Sequence, residues 1–145
     1  MIMSAGKELA KGLTMNRYPE IAHTLPPELF TKNHLQCGGK MCSVGHLADQ
    51  FGGGSYSYHP ISPIHQEATV AFCEEIVMSG DAKIYSSKET REERKKLVED
   101  LKKYRAFDKL IEFAYYWNDH RKNSNENRSK TWNRFIARLG YTENA

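Results

Sequence analysis

The sequence predicts a mainly α-helical fold: a single compact bundle of five or six helices with at most a short two-stranded β element. Three observations lead there. Apolar residues recur at three- and four-residue spacings along most of the chain, the period of a helix with one buried face. Start and stop signals such as Ser62-Pro63 and Gly80 bracket those stretches. Only the Tyr56–Tyr58 and Ala82–Tyr85 stretches read as brief strands. A length of 145 residues suits one domain, taken as 1–145, with residues 1–20 forming a loosely packed N-terminal helix.

Taken in order, Ser4 caps a short first helix through about Met15, with Leu9, Ala10 and Leu13 inward. Tyr18-Pro19 ends it, because the residue before proline is pushed out of helical geometry. Pro26-Pro27 opens a helical turn toward Phe30. Gln36 to Lys40 reads as a loop. A short helix from Met41 to Phe51 buries Val44, Leu47, Ala48 and Phe51, and Gly52-Gly53-Gly54 stops it.

Ser62-Pro63 then starts a helix that buries Ile64, Ala68, Ala71, Phe72 and Ile76. Ser86 to Glu89 has capping-box spacing and opens the most charged helix, with Leu97, Val98, Leu101 and Tyr104 on its apolar stripe. Phe107, Leu110, Ile111, Phe113, Ala114, Tyr116 and Trp117 cover much of the next helix, which reads as the centre of the core. Asn118 to Ser129 is wholly polar and rich in asparagine, a turn and cap composition. Trp132, Phe135, Ile136 and Leu139 form the inner face of the last helix, which Gly140 closes.

Composition removes several classes. No apolar run approaches bilayer-spanning length, and Met1–Thr14 lacks a signal-peptide core, so a cytoplasmic protein without membrane contact is expected. Three cysteines in such a compartment argue against a disulfide framework. No phosphate-binding glycine loop, dinucleotide fingerprint or paired histidine–glutamate zinc motif occurs, and no cofactor is expected. Glu74-Glu75 and Glu92-Glu93 read as solvated helix faces.

The net charge of +3 is unevenly spread. Residues 1–80 hold 5 basic against 7 acidic side chains, and residues 81–145 hold 16 against 11. Within Asp119–Arg138 stand 6 basic residues (Arg121, Lys122, Arg128, Lys130, Arg134 and Arg138) and 2 acidic ones. Such a patch steers a chain toward an acidic protein surface or a phosphate backbone; as a plain structural feature it is a solvated helix face.

Two constellations carry possible chemistry. Cys42 follows a glycine pair at a helix start, where the helix dipole lowers a thiol pKa. Gln36, six residues upstream, has the spacing of the oxyanion-hole glutamine in papain-like enzymes. A thiol mechanism needs a base and an orienter. His59, His65 and His120 are the candidate bases, and Asp119 or Asn118 the orienter, with Cys42, His120 and Asp119 the favoured set. Ser43 stands where those enzymes carry tryptophan. Without a base, Cys42 is a small residue packed where a loop becomes a helix.

Cys42 and His46, four apart, can also face one zinc ion with Cys37 close by, the fourth ligand coming from His34, His59 or Cys73. The alternative for His46 is a hydrogen-bonded histidine in or near the core.

Cys42-Ser43-Val44-Gly45-His46-Leu47-Ala48 resembles the C-A-x-G-A-L segment of a family of small phage and bacterial proteins. That family later carries a W-N-D or F-N-D triplet, a polar loop and a final helix, matched here by Trp117-Asn118-Asp119 and Trp132–Leu139. His46 replaces a small residue, and the charged stretch around Lys88 to Lys103 is an insertion. The resemblance implies a fold and a phage-type provenance, with Gly45 permitting close helix approach and Asn118-Asp119 ending a helix and bonding the next connection.

Three functions follow as expectations. The first is a phage-type accessory protein that binds and blocks or modulates a host defence or nucleic-acid-processing complex. Its contacts would be the loop residues Tyr56, Tyr58 and His59 together with the basic patch. The second is a hydrolase or transferase using Cys42. The third is nucleic-acid binding through the basic C-terminal region.

Overall fold

The long helix opened by Ser62-Pro63 has apolar residues around most of its circumference, and such a helix is stable only when surrounded. The computed structural model, which describes residues 23–32, 36–37, 39–52, 60, 62–79 and 91–139, places it at the centre of a helical bundle. Among the described residues the elements are β1 (Gln36–Cys37), β2 (Lys40–Met41), α1 (Ser43–Phe51), α2 (Pro63–Ser79), α3 (Arg91–Lys103), α4 (Phe107–Asp119) and α5 (Asn125–Leu139), preceded by a 3-10 turn over Pro27–Leu29. The mainly α expectation holds. Helix α2 packs against all four other helices. It thus takes the central place expected for α4, whose Asp108, Lys109, Glu112 and Tyr116 face outward.

The core is aromatic. Trp132 of α5 lies 5.2 Å from Phe135, 5.8 Å from Phe72 and 6.5 Å from Phe51, ring centre to ring centre. Phe72 meets Trp117 of α4 edge-on at 5.6 Å. These offset and edge-to-face arrangements place ring edges on ring faces, the favourable geometry for aromatic quadrupoles.

The segment before β1 is strapped to α5 by its backbone. Asn133 accepts from Leu25 N–H at 2.9 Å and donates to Leu25 O at 3.3 Å, while Trp132 Nε1 donates to His23 O at 2.8 Å. Phe30 then bridges to Met41, and Thr31 N–H donates to Met41 O at 3.0 Å.

Several sequence expectations are corrected. The stretch from Gln36 to Lys40, read as a loop, contains a tight antiparallel ladder pairing Gln36 with Met41 and Cys37 with Lys40. Gly39, at φ +82°, supplies the left-handed backbone that turn requires. Met41 belongs to β2, so α1 starts two residues later than expected. Helix α5 begins inside the polar stretch, at Asn125, because Ser124 caps it by accepting from Asn127 N–H at 3.0 Å. Leu97 and Tyr104 are exposed and Arg94 is buried on α3, so the inward stripe is narrower than the apolar pattern implied.

Glu75 is buried, not solvated, and burial raises its pKa against the opposing pull of Arg138 and Arg134. The N-terminal helix, the strand near Ala82 and the capping box at Ser86 lie outside the described residues.

Candidate functional site

Cys42 is the N-cap of α1. Its Sγ accepts the Gly45 N–H at 3.3 Å, and the Tyr115 side chain hydrogen-bonds the sulfur. The residue is wholly buried, and burial raises the thiol pKa, outweighing the hydrogen bonds; the nearby Asp119 charge adds to the rise. A thiol in that state is protonated at neutral pH and closed to substrate, the opposite of an activated nucleophile.

The structure gives Cys42 no imidazole base among the described residues. His46 bonds Leu29 O through Nε2 at 2.7 Å, and His120 Nδ1 accepts Lys122 N–H at 3.2 Å on the surface. His65 sits on α2, where burial lowers its pKa to about 4. His59, Tyr56, Tyr58 and His34 lie outside the described residues.

His46 is instead part of the core. It is 4% exposed and meets Phe30 edge-on at 4.8 Å. Among the described residues no three His, Cys, Asp or Glu side chains converge to hold a metal ion. Cys73 is buried and donates to Leu110 O at 3.3 Å.

Asn118, at the end of α4, holds three segments together. Its Oδ1 accepts both the Ser43 N–H, at 2.9 Å, and the Ser43 hydroxyl, at 2.7 Å. Its Nδ2 donates to Thr31 O at 3.2 Å and to Asp119 Oδ1 at 2.8 Å. The side chain therefore bonds the start of α1 and the strap before β1, not the next connection as expected. That connection is secured instead by Asn123, which donates to Trp117 O at 2.8 Å. Arg128 Nε donates to Asn118 O at 2.8 Å, Nη2 bonds the same oxygen, and Nη1 donates to Asn125 Oδ1 at 2.7 Å.

These bonds divide the basic patch. Arg128 is only 2% exposed and serves as a helix-end clamp. Arg138 turns back onto α2, 3.6 Å from Glu74 and 3.8 Å from Glu75. Arg121, Lys122, Lys130 and Arg134 face outward.

A second cationic grouping forms where sequence reading placed none. An open polar cleft of about 370 Å³ is lined by Phe30, Thr31, Lys32, Lys40, Asn123, Ser124, Asn125 and Arg128. Lys32 and Lys40 stand on either side of the hairpin turn, which folds them to the first turn of α5. Burial lowers the pKa of His120, and the charges of Arg121, Lys122 and Lys32 add to the fall. Tyr116, one helical turn before it, is exposed and meets the imidazole edge-on at 5.8 Å. Sequence reasoning does not single out Lys32, Lys40 or Tyr116. The lysines belong to the acidic half of the chain, and tyrosine on an apolar stripe reads as core. The one signal available is the Gly38-Gly39 pair, a turn composition in the sequence.

The chain matches no protein-family model, no curated protein and no solved structure.

Proposed function

We propose that this protein binds nucleic acid through the cationic end of the bundle, around the cleft between the hairpin and α5. One observation carries the reading: Lys32 and Lys40, from two separate stretches of chain, line one cleft with Ser124 and Asn125 of the α5 start, and among the described residues no carboxylate lines it. Lysine, asparagine and serine donors beside a helix N-terminus are among the groups that contact phosphate oxygens. Arg121 and Lys122 extend the positive surface beyond the cleft.

Titration of a labelled oligonucleotide, followed by fluorescence anisotropy at several salt concentrations, tests this. With three to five phosphates neutralised, log K falls against log salt with a slope of about −2 to −4. The double variant Lys32→Glu, Lys40→Glu should abolish that binding while the helical circular-dichroism signal stays intact. No salt-sensitive binding in the unaltered protein defeats the reading.

A second reading is a phage-type accessory protein that engages a host protein complex. The support for it lies on another face of the bundle. There Met78 is 64% exposed, and a small cavity of about 80 Å³ is lined by Val77, Met78, Val98, Lys95, Glu74, Glu99 and Arg138. Exposed apolar groups rimmed by charge have the composition of a protein contact. Substituting Met78 with serine should then release a co-purifying partner and leave oligonucleotide binding unchanged.

A further inference from the structure

We infer that the nucleic acid taken at this end is single-stranded, with the Tyr116–His120 pair receiving a base while the cleft holds the neighbouring phosphate; this rests on the nucleic-acid reading above. The phosphate donors alone do not distinguish strand number. The aromatic pair does.

Tyr116 lies on the outer face of α4 with 56% of its surface exposed, although an aromatic ring left in water forgoes the burial that its neighbours Trp117 and Ala114 achieve. His120 follows one turn later, and their ring centres are 5.8 Å apart at an interplanar angle of 68°. The His120 carbonyl accepts the Asn123 N–H at 2.9 Å, and Asn123 lines the cleft together with Lys32. The exposed ring pair therefore stands beside the wall of the cleft, joined to it through Asn123.

A duplex hides its base faces in the stack and offers a protein its edges and its backbone. Only an unpaired base has a free face for Tyr116. Positive grooves flanked by aromatic side chains are the arrangement by which proteins hold single strands, one ring to a base and the cations to the backbone.

Anisotropy with the full chain, using a labelled 12-nucleotide thymidine strand and the matching 12-base-pair duplex at one low salt concentration, tests this directly. The expected result is at least ten-fold tighter binding of the single strand. Tyr116→Ala should weaken that strand by about 5- to 100-fold and leave the duplex within two-fold. Tyr116→Phe, which keeps the ring, should bind the strand as the unaltered protein does. Because Tyr116 is exposed, both variants keep the fold, and their thermal transitions check it.

Equal affinity for strand and duplex with no effect of Tyr116→Ala overturns the single-strand inference and leaves phosphate binding standing. No binding of either nucleic acid overturns both. Competition by polyglutamate as effective as by the strand also overturns both, since the surface would then select only for negative charge.

Discussion

Asn118 Oδ1 accepts two hydrogen bonds from Ser43, one from its backbone N–H and one from its hydroxyl, across 75 positions of sequence. Both residues are fully buried. The amide thereby joins the end of one helix to the start of another, and Arg128 locks the same residue from the opposite side through its carbonyl.

Removing the acceptor should therefore cost far more than one hydrogen bond. In Asn118→Ala the Ser43 N–H and hydroxyl lose their partner in a place water does not reach, a penalty of roughly 1–3 kcal/mol for each unsatisfied group. We expect a total loss of about 2–5 kcal/mol in urea unfolding. Asn118→Asp keeps the acceptor for Ser43 but loses the donor to Thr31 and faces the Asp119 carboxylate, so it too should destabilise, increasingly as pH rises through the carboxylate range. A change below about 1 kcal/mol in both variants would show that the corner contributes little.

Cys42 should behave as a cap and not as a nucleophile. Native-state alkylation, followed by peptide mapping, should label this thiol only as fast as the protein opens, because burial raises its pKa and covers the sulfur. Serine is a good N-cap, so Cys42→Ser should retain most of the stability, whereas Cys42→Ala loses the bond to Gly45 N–H and about 1 kcal/mol. Labelling faster than a free model thiol under native conditions would return the residue to chemistry.

How much of the molecule can be read from its sequence follows from the range of the forces involved. Helical periodicity is local, and it locates α2, α3, α4 and α5 along with most of the core, including Phe72, Trp117 and Trp132. Caps are local too, yet Ser124 is hidden inside a long polar run whose every member reads as turn chemistry. The roles of Arg128 and Arg138 are not readable, because exposed and clamping arginines have the same local pattern. Only the fold decides whether a carbonyl such as Asn118 O, or a carboxylate such as Glu74, lies within reach. The cleft is illegible for the same reason: Lys32 and Arg128 meet only after the strap has been laid along α5.

His65 makes stability depend on acid. It is 2% exposed, its Nε2 has no hydrogen-bond partner among the described residues, and burial lowers its pKa from 6.5 to about 4. In the unfolded chain the imidazole takes up a proton below about pH 6.5, whereas the folded protein resists until about pH 4. The contribution of the neutral ring is therefore fully present above pH 6.5 and is lost as pH falls from there toward 4. The loss approaches about 3 kcal/mol, because each tenfold difference in proton affinity between the folded and unfolded chain is worth about 1.4 kcal/mol. His46, also lowered by burial, acts in the same direction. Urea midpoints measured between about pH 7.5 and 4 should drop accordingly, and His65→Gln should flatten the curve while lowering its plateau; an unchanged slope in that variant would assign the acid sensitivity elsewhere.

The basic residues of the last third should separate into two groups by experiment. Arg138, half-buried between Glu74 and Glu75, and Arg128, clamped on Asn118 O, hold the bundle together. Truncating either leaves buried oxygens without their partner, so Arg138→Gln and Arg128→Gln should each lower stability by roughly 1–3 kcal/mol. Arg138→Gln should leave oligonucleotide affinity unchanged, because its guanidinium points away from the cleft toward α2. Arg121 and Lys122 are exposed and directly follow His120 in the chain. Their joint replacement by alanine should leave the unfolding midpoint within about 0.5 kcal/mol and make the salt slope of binding shallower by about 1 to 2. If all four positions changed affinity together in proportion to charge alone, the patch would be acting as a diffuse field, and the cleft would have no special part in recognition.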